Sequence, residues 1–323
     1  MKEAYIDKNL NVEIRDVPVP VAGPGELLIR TIVSGTNPKD WKIPKLVGGD
    51  AANHGDDIAG YVEAVGEGVT GFRPGDRVAA FHQMFTPHEG ATIPLAGMTA
   101  ALGVYQRLQL PLPWNPATVP TSMVINGAAT AVGAFAIKFA TLSNIHPIIA
   151  IAGKGIPFVE SLLDKSKGDT IIDYHQGGDY VNEQLLKAAE RHVITYAYDA
   201  VSDKASMEML CNVVSPETGK VMSVLPKEDE VIHGITVLGS NAGLIHASTK
   251  VGAKVGDAEF GATLYKLISL GLADGWFSGH PYEVVEGGLA GLQGALKDLE
   301  AGKVSAKKYV LRLGETPGVS KGI

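Results

Sequence analysis

The stretch from Val124 to Ala140 constrains the fold more than any other, because a short apolar β-pattern passes through small residues directly into an apolar helical pattern. Such a passage predicts a strand, a tight turn and a helix start. The turn reads Gly127-Ala128-Ala129-Thr130-Ala131-Val132-Gly133. Its small side chains let a ligand approach the backbone, and the free N–H groups and positive dipole end of the following helix would hold a pyrophosphate. Gly133 would let the helix pack closely on the strand. The fit to the glycine fingerprints is imperfect: as G-x-x-G-x-x-G the middle position is Thr130, and as G-x-G-x-x-G the first two glycines are Ala128 and Thr130. An ordinary βα turn is the alternative.

The second strand of the pattern, Pro147 to Ile151, ends in Ala152-Gly153-Lys154-Gly155. A site for NAD usually places a carboxylate there, on the ribose hydroxyls. None is present. Gly153 leaves room and Lys154 supplies a positive charge, which suits the 2′-phosphate of NADPH. A solvated loop lysine is the plain reading of Lys154. From Met123 onward β and α patterns alternate, with further strands at 170–174, 194–201, 219–225 and 235–239. Alternation of this kind predicts an α/β fold with a doubly wound parallel sheet and its ligand at the carboxyl ends of the strands. Ala200 and Val201 then end the fourth strand, Leu225 the fifth, and Asn241 follows the sixth.

Residues 1–80 read differently, as short strands at 12–17, 26–33, 58–66 and 74–80 separated by Gly/Pro punctuation, which predicts a β-barrel-like segment. A helix is predicted over 93–108 and another over 260–271, after which the chain returns to the first domain and ends in a run at 304–313. The boundaries expected are 1–111 with 273–323 for the barrel domain and 112–272 for the dinucleotide domain. A net charge of −7 argues against nucleic acid or an acidic membrane surface as partner. The single cysteine, Cys211, excludes a disulfide framework and a four-cysteine zinc lobe. No leader or membrane-spanning run is seen near Met1, so the cytosol is the expected compartment.

The element order, together with Pro18 to Glu26, Gly75-Asp76-Arg77-Val78, the turn at Gly127 to Gly133 and Leu299-Glu300-Ala301-Gly302-Lys303-Val304-Ser305, resembles the medium-chain dehydrogenase/reductase superfamily over nearly the whole chain. Within it the chain is similar to zinc-free quinone oxidoreductases, and more closely to fungal enoyl reductases that act in trans with polyketide synthases. The resemblance implies a GroES-like substrate domain, formed by both ends of the chain, around a Rossmann cofactor domain. It also implies hydride transfer from NADPH to a conjugated acceptor: an enone, a quinone or a carrier-bound enoyl group. Zinc-dependent relatives put a cysteine where this chain has Ser34-Gly35-Thr36-Asn37 and a Gly-His-Glu where it has Gly55-Asp56-Asp57. No metal is expected, since a catalytic zinc needs about three converging ligands.

Matching positions carry over Asn37 and Lys39, in a loop Asn37-Pro38-Lys39-Asp40-Trp41, as hydrogen-bond donors to the acceptor's oxygen. They carry over Thr99 and Asn241 as cofactor contacts and Tyr174 as a ring near the adenosine 2′-phosphate. Each has a plain counterpart, as a turn residue, solvated lysine, helix-start threonine or strand-end tyrosine. The family's segment corresponding to Phe85–Gly90 is longer, so either residues have been deleted or the sequence lacks some; the second is expected, because missing strands would leave open barrel edges. The apolar strand 235–239 is the expected edge for a homodimer, with a monomer as the alternative. A NADPH-binding relative without turnover is the other functional class.

Overall fold

The computed structural model describes residues 1–80, 93–225, 228–246 and 257–319; the expectation for Phe85–Gly90 lies outside them. In chain order the elements are β1 (Lys2–Ile6), β2 (Val12–Asp16), β3 (Leu27–Gly35), α1 (Lys39–Val47), β4 (Asp57–Val65), β5 (Arg77–Ala80), α2 (Pro94–Ala101), β6 (Ser122–Asn126), α3 (Ala131–Leu142), β7 (Ile148–Ala152), α4 (Ile156–Glu160), β8 (Thr170–Asp173), α5 (Gly178–Arg191), β9 (Ile194–Asp199), α6 (Lys204–Cys211), β10 (Lys220–Ser223), β11 (Glu230–Ile232), β12 (Ile235–Gly239), α7 (Ala258–Asp274), β13 (Tyr282–Val285), α8 (Leu292–Glu300) and β14 (Lys308–Arg312). They form two compact units, one of residues 1–95 with 271–323 and one of residues 96–270. No helix among the described residues is long and apolar enough to cross a membrane.

The second unit holds a seven-stranded sheet in the order β11-β12-β10-β9-β6-β7-β8. Six of the strands run parallel, and the order from β8 through β12 is the doubly wound 3-2-1-4-5-6 arrangement. Every residue of β6 and β7 is buried. Helices cover both faces of such a sheet, so its central strands read as unbroken apolar runs. On one face Val124, Ile149 and Ile172 pack with Val181 and Leu185 of α5 and Leu210 of α6. The apolar helix α3 buries Phe135, Ile137 and Phe139, and Tyr105 donates a hydrogen bond to the Phe139 carbonyl at 3.2 Å.

Two expectations are corrected here. The strand at 235–239, β12, is not an edge: β11 pairs with it antiparallel across the two-residue turn His233-Gly234, whose φ angles of 51° and 83° suit a hairpin of the right twist. The helix expected over 93–108 is α for its first half and then a π-turn over Leu102–Arg107. Gly103 lies within this turn and packs closely on the sheet, since a Cβ there would lie 2.5 Å from Tyr198 Cε2 on β9.

In the first unit β1 and β2 pair alone, and a five-stranded sheet runs β13-β14-β3-β4-β5. Its core joins both ends of the chain, with Ala4, Ile6 and Leu10 against Leu292, Leu296 and Leu311. Leu292, Ala295 and Leu296 lie on one stripe of α8, which is the i, i+3, i+4 spacing of a surface helix. The segment expected as a loop at 37–41 is a loop to Pro38, with α1 starting at Lys39 and carrying Pro44 inside it.

Candidate active site

The β6–α3 turn is built as a cradle. Gly127 has φ +70°, a backbone state that glycine adopts without strain, and a Cβ there would lie 3.0 Å from Val201 Cγ2. Gly133 has no room at all, because a Cβ would come within 2.3 Å of the Gly127 carbonyl oxygen. Thr130 supplies what the missing glycine does not: it caps α3, its Oγ1 accepting from the Gly133 N–H at 3.0 Å. Ala129 to Val132 remain partly accessible, so the first-turn N–H groups of α3 that the helix cannot use point from an approachable surface. These residues fit a dinucleotide pyrophosphate.

The strand ends around the turn are laced together. Asp199, the fully buried last residue of β9, accepts from Asn126 Nδ2 at 2.9 Å, from the Val201 N–H at 3.0 Å and from Ser206 Oγ at 2.5 Å. Ser202, at φ 60°, donates to the Asp199 carbonyl at 2.6 Å and accepts from the Val224 N–H at 2.9 Å. These bonds fix Ala200, Val201 and Leu225 relative to Gly127. Asn241 turns the chain after β12, accepting from the Gly243 N–H at 3.0 Å. The carbonyl of Thr99 accepts from the Tyr198 hydroxyl at 3.0 Å, and burial raises that phenol's pKa.

At the end of β7, Gly153 lies under two rings: a Cβ would sit 2.3 Å from His175 Cε1 and 2.7 Å from Tyr174 Cζ. The sequence pointed to Gly153 and Tyr174 separately, and the fold brings them together. It also brings His175, which nothing in the sequence singled out. Lys154 beside them is exposed and has no ion pair or hydrogen bond among the described residues.

In the first unit Asn37 and Lys39 stand in a buried ionic cluster. The Asn37 side chain donates from Nδ2 to Asp57 at 2.9 Å and accepts at Oδ1 from Lys308 Nζ at 2.9 Å. Lys308 also pairs with Asp57 directly. Lys39 Nζ donates to the His54 carbonyl at 2.5 Å and pairs with Asp56 at 3.0 Å and Asp40 at 3.2 Å. Both predicted donors are therefore engaged within the unit, Asn37 as a buried bridge. Burial pushes Asp56 up to about 7 against the pull of Lys39, and burial raises Asp40 and Asp57 as well. Lys39 is held above its ordinary value: burial works against its charge, but Asp40 and Asp56 together outweigh it. Asp40 and Asp56 line a cavity of about 70 Å³ with Ser34, Thr36 and Asn53. Lys308 could not have been found by local spacing, since it meets Asp57 from 251 residues away.

Among known proteins, residues 23–110 match the alcohol dehydrogenase GroES-like domain. The chain is 37% identical over 318 residues to the trans-enoyl reductase fsr4 of Gibberella fujikuroi, covering 89% of this chain and 91% of that one. It is 29% identical to the trans-enoyl reductase resD of Aspergillus sclerotiorum, covering 93% and 96%. In fold it is similar to an alcohol dehydrogenase superfamily protein from Novosphingobium aromaticivorans, with a TM-score of 0.74 at 22% identity, covering 97% of this chain and 99% of that one. The CurK enoyl reductase superposes with a TM-score of 0.71 at 16% identity, covering 96% and 98%. The chain belongs to the medium-chain dehydrogenase/reductase superfamily, in its enoyl reductase-like branch of nicotinamide-dependent oxidoreductases.

Proposed function

We propose that the chain is an NADPH-dependent reductase of the conjugated C=C bond of enones, enoyl thioesters or quinones, and that it works without a metal. The observation that carries this reading is the β6–α3 turn, where Gly127 and Gly133 leave the backbone bare at the point where the strand order reverses. The N–H groups around Ala128 to Val132 would hold the pyrophosphate. Gly153, Lys154 and Tyr174 would hold the adenosine end with its 2′-phosphate; Thr99, Ala200, Val201, Leu225 and Asn241 would wall the rest. When bound, NADPH supplies the hydride that goes to the acceptor's β-carbon.

In the first unit the acceptor's oxygen would accept a hydrogen bond from Lys39 Nζ in place of one of the lysine's three present partners. Asp56 is the natural one to yield, since burial leaves its carboxyl near neutrality and able to hold a proton itself. Asn37, held between Asp57 and Lys308, would be the second donor. A reading without metal is supported by those pairs, since ammonium groups hold Asp56 and Asp57. The relatives' designation as trans-enoyl reductases supports a carrier-bound enoyl substrate presented by a polyketide synthase. With β12 covered by β11, a homodimer that extends this sheet would pair through β11, and a monomer is the alternative. The engagement of Asn37 and Lys39 favours, as a second reading, a NADPH-binding relative without turnover. Consumption of NADPH with enoyl thioesters, enones and quinones separates the two.

The cofactor choice is tested by Lys154→Ala. A charge-assisted bond to phosphate contributes about 1.5–3 kcal/mol, so NADPH should bind roughly tenfold more weakly or worse, with NADH unchanged. Fluorescence titration of both cofactors reads this. Equal losses, or a wild-type chain that prefers NADH, would contradict the assignment.

A further inference from the structure

We infer that His175 is a specificity residue of the cofactor site, its Nε2 donating to the 2′-phosphate of NADPH while its ring lies on Tyr174. This rests on the reading of the second unit as the NADPH-binding unit and names a residue that reading does not contain. Three observations carry it. The first is placement: the rings of Tyr174 and His175 lie 4.4 Å apart between centroids, tilted by 33°. Both rest over Gly153, which any side chain would displace, since Cβ contacts of 2.3 and 2.7 Å fall below what real structures tolerate. The two tilted rings therefore cover the carboxyl end of β7 at Gly153, the residue before Lys154.

The second is orientation. Asp173 Oδ1 accepts from both the backbone N–H and Nδ1 of His175, each at 3.0 Å. With Nδ1 turned to Asp173, the opposite Nε2 edge faces away from it and has no partner among the described residues. The third is charge. Asp173 is held below the usual carboxylate range, chiefly by the bond from the His175 N–H, so an anion stands against Nδ1. With a phosphate at Nε2 the ring would stand between two anions, the arrangement in which an imidazolium donates from both nitrogens, Nδ1 to Asp173 and Nε2 to the phosphate. The side chains of His175 and Tyr174 are largely accessible, so a substitution at His175 leaves the core untouched.

The experiment compares His175→Phe, which keeps a flat ring on Tyr174 but has no donor, with His175→Asn, which loses the ring and keeps an amide donor. Full-length protein is titrated with NADPH, NADH, 2′,5′-ADP and 5′-AMP, so that the readout is binding rather than turnover. His175→Phe is expected to weaken NADPH and 2′,5′-ADP by roughly tenfold and to leave NADH and 5′-AMP within about twofold. His175→Asn is expected to weaken the phosphorylated ligands less than His175→Phe does. Equal losses for all four ligands with His175→Phe, or no loss for any, would overturn the inference. Lys154→Ala run alongside separates its failure from that of the underlying reading: a wild type that does not favour NADPH defeats the reading, whereas a preference that Lys154→Ala removes and His175→Phe leaves intact defeats the inference alone.

Discussion

Gly133→Ala is expected to lower NADPH affinity by roughly a hundredfold or more in a protein that still folds. The added Cβ would lie 2.3 Å from the Gly127 carbonyl oxygen and 3.0 Å from Ala128 Cα, both backbone atoms that no rotamer change can move aside. Relief has to come from lifting α3 off the turn. That displaces the first-turn N–H groups from the pyrophosphate, and losing two charge-assisted bonds at about 1.5–3 kcal/mol each gives about a hundredfold or more. Overpacking costs the fold about 1–3 kcal/mol, which a unit with this much buried apolar surface survives. Gly294→Ala is the matched control: it lies in α8, a Cβ there meets nothing within 4 Å, and it should leave binding unchanged. Isothermal titration with circular dichroism on the same samples checks both. Unchanged NADPH affinity in Gly133→Ala would show that the pyrophosphate does not sit on this turn.

The largest expected loss of stability is at Lys308. Its ammonium and the carboxylate of Asp57 are both buried, at 5% and 0% exposure, and Asn37 bridges them. Lys308→Met leaves Asp57 with the bonds from Asn37 and from the Leu95 N–H at 3.1 Å, and with no cation. Removing one partner of a buried pair costs about 3–5 kcal/mol, much of it the penalty on the charge left behind. The melting temperature should therefore fall by roughly 10 °C or more. Lys308→Met combined with Asp57→Leu should recover a good part of the loss, since replacing a buried pair by apolar groups is often close to neutral. Additive losses in a double-mutant cycle would contradict the pairing.

The dinucleotide unit was legible because its signals are local. A parallel strand buried on both faces is an apolar run, and the run into Gly127 to Gly133 marks where the chain must turn tightly. Thr130 looked like a defect in a glycine pattern and proved to be the cap of α3. What local patterns hide is what the fold assembles from afar. The turn His233-Gly234 lacks the asparagine or aspartate that usually signals a two-residue hairpin, so β11 went unread and β12 was taken for an edge. Pro44 concealed α1, which it sits inside. Asn37 and Lys39 were read as free donors because their partners Asp57, Lys308, Asp56 and the His54 carbonyl are not neighbours in sequence. His175 was missed because its meaning lies in Gly153, on another strand end.

Transfer of hydride from NADPH to a conjugated carbon is tested most directly by isotope tracing. Full-length protein is mixed with NADPH carrying deuterium at the transferable position and with an enoyl thioester, a 2-enone or a quinone, and the product is examined by mass spectrometry and NMR. Deuterium is expected at the β-carbon of the enoyl thioester or the 2-enone, with a solvent proton at the α-carbon, in protein stripped of metal by chelation. Protein that binds NADPH tightly yet transfers no deuterium to any of these acceptors would contradict it.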